Sequence, residues 1–255
     1  MDRVSVRYAA IGDSFTEGVG DEQPDGSVRG WADLVAVGLA REEAVQYVNL
    51  AVRGRLLAPI VSGQLETALA LDPPPTLVTF NGGGNDMLRP RTDVAELVAL
   101  TTRAVRRCLD AGVRLVLLSG ADPSDQLPFG RTIRRRGEEL TARVAELAAA
   151  NDIPLVDVFH DTEIRRQHYW SADRLHLNAT GHERVAGLVL AALDGAPAPQ
   201  PNDSPPQVAR GLAAEARYYW QHVLPWVNRR LRGRSSGDTL DAKHPVWTVI
   251  EQAGV

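Results

Sequence analysis

Four short stretches of the chain hold residues able to act on an electrophilic carbonyl. The first is Gly12-Asp13-Ser14. A serine at a strand-to-helix turn presents its hydroxyl at the sheet edge, with its own N–H facing the same space. Asp13 and Ser14 are also both favoured helix N-cap types, and alone that is the simpler reading. The pentapeptide GDSFT is not a G-x-S-x-G nucleophile elbow, because Thr16 stands where the second glycine belongs. The second stretch, Asn49–Gly54, ends in a glycine that could adopt positive φ and offer its N–H to an anion, or simply make a turn. The third, Asn81-Gly82-Gly83-Gly84-Asn85-Asp86, lets the backbone approach a ligand closely and gives Asn85 a donor amide. A loop with an Asn in a turn fits it equally well. No G-x-G-x-x-G runs through these glycines, which argues against a dinucleotide loop. The fourth stretch runs from Trp170 to Asn178 and sets Asp173 three residues before His176. At that spacing a carboxylate can hold Nδ1 and leave Nε2 free as a base, or the two can form a surface ion pair.

These stretches must be placed by the elements around them. Val4–Ile11, Gln46–Leu50, Thr76–Phe80, Val113–Ser119 and Ile153–Val158 read as five short strands. Between them, helices are predicted around Trp31–Gly38 and over Leu56–Leu71, Asp93–Leu109, Arg131–Ala150 and Ala179–Leu193. The Pro73-Pro74-Pro75 run closes the second of these. Strands alternating with helices predict an α/β fold, flavodoxin-like and three-layered (α/β/α), with a five-stranded parallel sheet in the order 2-1-3-4-5. In such sheets ligands sit beyond the carboxyl ends of the strands, and all four stretches follow strands.

Composition narrows the chemistry. The 255 residues carry a formal charge of −4, which argues against a dedicated nucleic-acid binder. One cysteine, Cys108, excludes an intrachain disulfide and every CxxC-type site. The single lysine, Lys243, faces 27 arginines and excludes a Walker A loop, which needs Gly-Lys. It also argues against a lysine Schiff base, since it lies near the C-terminus. His160, His168 and His182 lack an HExxH spacing and read as surface or packing residues. Asp13 reads as a turn-stabilising side chain, Asp86 as an anchor of the glycine loop, and Arg131 with Arg134–Arg136 as a solvated helix face. No basic n-region precedes an apolar run at the N-terminus, and no window holds eighteen uninterrupted apolar residues, so the expected location is cytoplasmic.

Taken together, GDSFTEG (12–18), NLAVRG (49–54), GGGND (82–86) and DRLHLNATGH (173–182) resemble the four sequence blocks of the SGNH hydrolase superfamily, the GDSL-type esterases and lipases. Phe15 replaces the usual leucine of the first block. The wording NLAVRGRLL and GGNDMLRP is most similar to intracellular actinobacterial members. The resemblance spans residues 1–194. It implies Ser14 as nucleophile, His176 as base and Asp173 as the orienting acid. The implied oxyanion hole is the Ser14 and Gly54 N–H groups with the Asn85 amide. It implies a small-molecule ester substrate, short-to-medium acyl or acetyl, and neither a metal nor an organic cofactor. An acyltransferase using the same triad and a non-catalytic flavodoxin-like binding module are the alternatives.

Residues 195–206 hold five prolines and read as a semi-rigid linker. Residues 207–255 form an aromatic and basic extension. A short amphipathic helix is expected at Val208–Asn228 within it, and the last twenty residues read as irregular. Residues 1–194 carry 21 Arg against 27 Asp and Glu, whereas the remainder is net positive. The favoured reading packs this extension on the domain's own surface. A lid over the site and an anionic-membrane contact are the alternatives.

Overall fold

The computed structural model describes residues 6–41, 43–127, 130–200 and 240–252. Six strands and eight α-helices occur among these residues. In chain order they are β1 (Arg7–Ile11), α1 (Ser14–Glu17), α2 (Trp31–Leu39), β2 (Val45–Asn49), α3 (Leu57–Pro59), a π-helical stretch (Ile60–Gln64) and α4 (Leu65–Leu69). Then follow β3 (Leu77–Asn81), α5 (Gly84–Met87), α6 (Val94–Asp110), β4 (Arg114–Leu118), α7 (Gly130–Ala150) and β5 (Leu155–Val156). A 3₁₀ turn (Gln167–Tyr169), α8 (Ala179–Asp194) and β6 (His244–Ile250) complete the set.

Strands β1 to β5 are mutually parallel and lie in the expected order, 2-1-3-4-5. The expectation of five strands is corrected by β6, which pairs antiparallel outside β2, so the sheet has six. This strand comes from the stretch that read as irregular. Its signal was the β-branched and aromatic run Val246–Ile250, masked by Pro245, a residue that edge strands tolerate. The helix expected at Val208–Asn228 lies outside the described residues. The described part of the C-terminal extension is thus a strand.

The central strands are apolar along their whole length because helices cover both sheet faces. Side chains alternate between the faces. Ala9 and Ile11 of β1 join Leu57, Leu65, Leu97, Val105 and Val144 of α3, α4, α6 and α7. Tyr8 and Ala10 join Trp31, Val35, Val185 and Val189 of α2 and α8 on the other side. Cys108 is buried in α6, and burial pushes its thiol up to about 11.

The helix expected over Leu56–Leu71 is interrupted by the π-helical stretch. Gln64, the last residue of that stretch, clamps Gly12 with its side chain. Gln64 Oε1 accepts from Gly12 N at 2.8 Å, and its Nε2 donates to Gly12 O at 2.9 Å. The strand expected at Ile153–Val158 is shorter, reduced to two residues.

Candidate active site

The nucleophile candidate sits where β1 ends. Asp13 caps α1: its side chain accepts from Phe15 N at 3.1 Å, and its carbonyl accepts from Thr16 N and Glu17 N. The cap thereby leaves Ser14 N as the first-turn donor that it does not itself engage. Ser14 Oγ lies 3.0 Å from His176 Nε2.

His176 is held by a compact turn ahead of α8. Asp173 Oδ1 accepts from Ser171 Oγ at 2.6 Å, from Leu175 N at 2.9 Å and from His176 N at 3.0 Å. Its Oδ2 lies 2.6 Å from His176 Nδ1. Arg174, between them, takes the left-handed conformation (φ +59°) that this turn requires. Burial alone would raise the Asp173 carboxyl, but the hydrogen bond and charge of His176, with the Ser171 bond, hold it well below the usual range. The carboxylate is therefore ionised and oriented toward the ring. Gly20 packs against this loop so closely that a Cβ would lie 2.0 Å from Leu177 O.

The loop after β2 is fastened to α1 from two sides. Asn49 Nδ2 donates to Thr16 O at 3.0 Å, while its Oδ1 accepts from Ala51 N. Glu17 Oε2 accepts from Arg53 N at 2.6 Å, and its Oε1 accepts from Arg53 Nε and Nη2 at 2.9 and 2.5 Å. Gly54 follows at φ +77°, open to few other residue types. The loop after β3 brings Asn85 to the same place: its Nδ2 donates to Asp13 Oδ2 at 3.0 Å and to Arg55 O at 3.1 Å. Asp86 Oδ2 accepts from Leu57 N at 2.9 Å, tying the glycine loop to the start of α3. Burial raises Asp13 to about 6 despite the hydrogen bond from Phe15.

Ser14, His176 and Asp173 thus form one hydrogen-bonded chain, and Asn85 reaches Asp13, the neighbour of Ser14. Such a chain polarises a serine hydroxyl for attack on an acyl carbon and can return the proton to a leaving group. The other histidines stand apart from it. His160 pairs with Asp157 on the surface. His182 is buried, its Nδ1 accepting from Trp31 N and its Nε2 donating to Val19 O. Both bonds fit the neutral ring, and burial lowers its pKa to about 4. Arg136 is more than a solvated side chain, because it donates to the carbonyls of Met87, Arg89 and Pro90 beyond the glycine loop. Among the described residues no group of three His, Cys, Asp or Glu could hold a metal ion. None of the described helices is long and apolar enough to cross a membrane.

Sequence reasoning missed Gln64, the Glu17–Arg53 pair as a bridge, and Lys243. Lys243 Nζ donates to Glu17 O at 2.7 Å, Val28 O at 3.0 Å and Asp33 Oδ2 at 2.7 Å. Glu17 and Arg53 lie within the recognised stretches, but nothing local marks them as partners. Gln64 and Lys243 carry no local signal at all.

Residues 10–184 match the profile of the GDSL-like Lipase/Acylhydrolase family. Solved structures share the fold. A lipase from a goat rumen metagenome, Lip_vut3, is 19% identical with a TM-score of 0.62, covering 74% of this chain and 97% of its own. A lipase/acylhydrolase from Enterococcus faecalis is 20% identical with a TM-score of 0.59, covering 78% and 100%. A catalytic mutant of Axe2, an acetylxylan esterase from Geobacillus stearothermophilus, is 20% identical with a TM-score of 0.61, covering 76% and 96%. No curated protein matches the chain.

Proposed function

This chain belongs to the GDSL-like lipase/acylhydrolase family of serine ester hydrolases, and we propose that it cleaves carboxylic esters through Ser14, His176 and Asp173. The observation that carries the reading is the continuous chain from Asp173 Oδ2 through both ring nitrogens of His176 to Ser14 Oγ, at 2.6 and 3.0 Å.

In acylation, Ser14 Oγ attacks the acyl carbon and its proton passes to His176 Nε2. Asp173 stabilises the imidazolium through Nδ1–H. The ester C–O bond then breaks and Nε2 returns the proton to the departing alkoxide, releasing the alcohol. In deacylation, water takes the place of the alcohol: His176 accepts its proton and the hydroxide attacks the acyl-enzyme. Collapse breaks the acyl–Oγ bond, Nε2 delivers its proton to Ser14 Oγ, and the acid is released. At both tetrahedral stages the oxyanion faces Ser14 N–H, Gly54 N–H and the Asn85 amide. Asn85 joins by turning one of its amide hydrogens from Arg55 O or Asp13 toward the developing charge.

The substrate reading is a small ester with an acetyl or short-to-medium acyl group. Lipases and an acetylxylan esterase occur among proteins of this fold, in keeping with acyl esters of various sizes. A series of p-nitrophenyl esters from acetate to palmitate tests it. The expected profile peaks at short-to-medium chains and vanishes in Ser14→Ala. A maximum at palmitate would refute the chain-length assignment.

A further inference from the structure

The lone lysine stands at the meeting point of the C-terminal strand and the proposed catalytic centre. Lys243 immediately precedes β6, its side chain only 14% exposed. An ammonium has three donors, and three acceptors from three segments converge on it: the carbonyl closing α1, the Val28 carbonyl and the Asp33 carboxylate. Asp33 is itself tied to the same junction, accepting from Gly30 N at 2.7 Å and from Tyr47 Oη at 3.2 Å. A planar guanidinium suits one two-pronged acceptor better than three separate ones, so an arginine here would not reproduce all three bonds.

The residue that Lys243 grips by its carbonyl, Glu17, grips Arg53 by its carboxylate. Arg53 precedes Gly54, and Ser14 begins the four-residue helix that Glu17 ends. A path of short bonds therefore runs from the C-terminal strand to the relative placement of two backbone donors. Lys243 lies outside the span matched by the family profile, residues 10–184.

We propose that Lys243 is a positioning residue for ester hydrolysis: by holding Glu17, it sets the Ser14 and Gly54 N–H groups at the spacing the oxyanion requires. This rests on the assignment of those donors given above. The C-terminal strand is then part of the working enzyme, and its docking completes the site.

The test uses the full-length chain as wild type, Lys243→Met, Lys243→Arg, Lys243→Ala and Ser14→Ala, assayed with p-nitrophenyl acetate and followed by thermal melting. Misplaced donors act on the transition state, so kcat should fall about 10- to 100-fold in Lys243→Met while KM stays within about twofold. Lys243→Arg keeps the charge and should still lose about 5- to 10-fold in kcat. In a Lys243→Ala variant, added ethylammonium should restore part of kcat and guanidinium should not. A Lys243→Met enzyme that melts earlier but keeps full kcat overturns the positioning role. Should Lys243→Met fail to fold, full kcat in Lys243→Arg overturns it equally. Ser14→Ala separates the two failures. If it stays active, the triad falls and this proposal with it. If it is inactive while Lys243→Met is fully active, the positioning role alone falls.

Discussion

Asn85 illustrates how a single side chain can be both held and available. Its amide nitrogen rests on Asp13 Oδ2, beside Ser14, and on Arg55 O, in the loop after β2. One of those bonds is given up when the amide turns to the developing charge, so the new bond belongs to the transition state and not to the resting site. Removing the amide should therefore cost transition-state stabilisation more than binding. Asn85→Ala is expected to lower kcat by about 10²- to 10³-fold with little change in KM, as measured on a short p-nitrophenyl ester. A large rise in KM at constant kcat would instead assign Asn85 to ground-state binding. Asp13 has the complementary role. As an N-cap and acceptor it stabilises the turn, consistent with its reading as a structural carboxylate rather than a second catalytic acid.

At the scale of elements, the π-helical stretch and the residue entering β6 both bond to the turn that carries Ser14. The first points Gln64 at both backbone groups of Gly12, the residue between β1 and the α1 cap. Gln64→Leu would leave that N–H and carbonyl without these partners. The expected loss is about 2 kcal/mol, read as a fall of about 4–8 °C in Tm, with kcat reduced as the turn loosens. An unchanged Tm would show that water replaces the clamp without cost. These two elements also mark where the chain's sequence is hard to read. The parallel strands and the α2, α6, α7 and α8 helices announce themselves by apolar periodicity. The four active-edge stretches announce themselves by residue types gathered at strand ends. A glutamine in a helix 52 residues from its partner has no such pattern. Nor has a lysine 226 residues from Glu17, because both contacts are made only by tertiary packing. The brevity of β5 has the same origin: the residues after Val156 turn away to meet Ser119, whose Oγ accepts from Phe159 N.

For the whole molecule, buried titratable groups set opposing pH dependences. His182 has its pKa lowered from about 6.5 to about 4 by burial. Below pH 6.5 the unfolded chain takes up a proton that the folded chain refuses, so stability is complete above that pH and lost toward pH 4. The full effect is on the order of 3 kcal/mol. Asp13 has its pKa raised from 3.8 to about 6 by burial. Its contribution is present below pH 4 and lost as pH rises through 6. The two largely offset each other between pH 4 and 6.5. Chemical denaturation across that window should show His182→Gln gaining stability on acidification and Asp13→Asn losing it, with the wild type between them. Parallel curves for all three proteins would contradict the assigned shifts.

The central claim is that Ser14 is the nucleophile of this hydrolase. A fluorophosphonate probe, followed by peptide mass spectrometry and ester hydrolysis on the same sample, tests it most directly. The account predicts one adduct, on Ser14, with activity lost in proportion to labelling, and neither label nor turnover in Ser14→Ala. Labelling at another residue with Ser14 unmodified, or undiminished hydrolysis by Ser14→Ala, would contradict it.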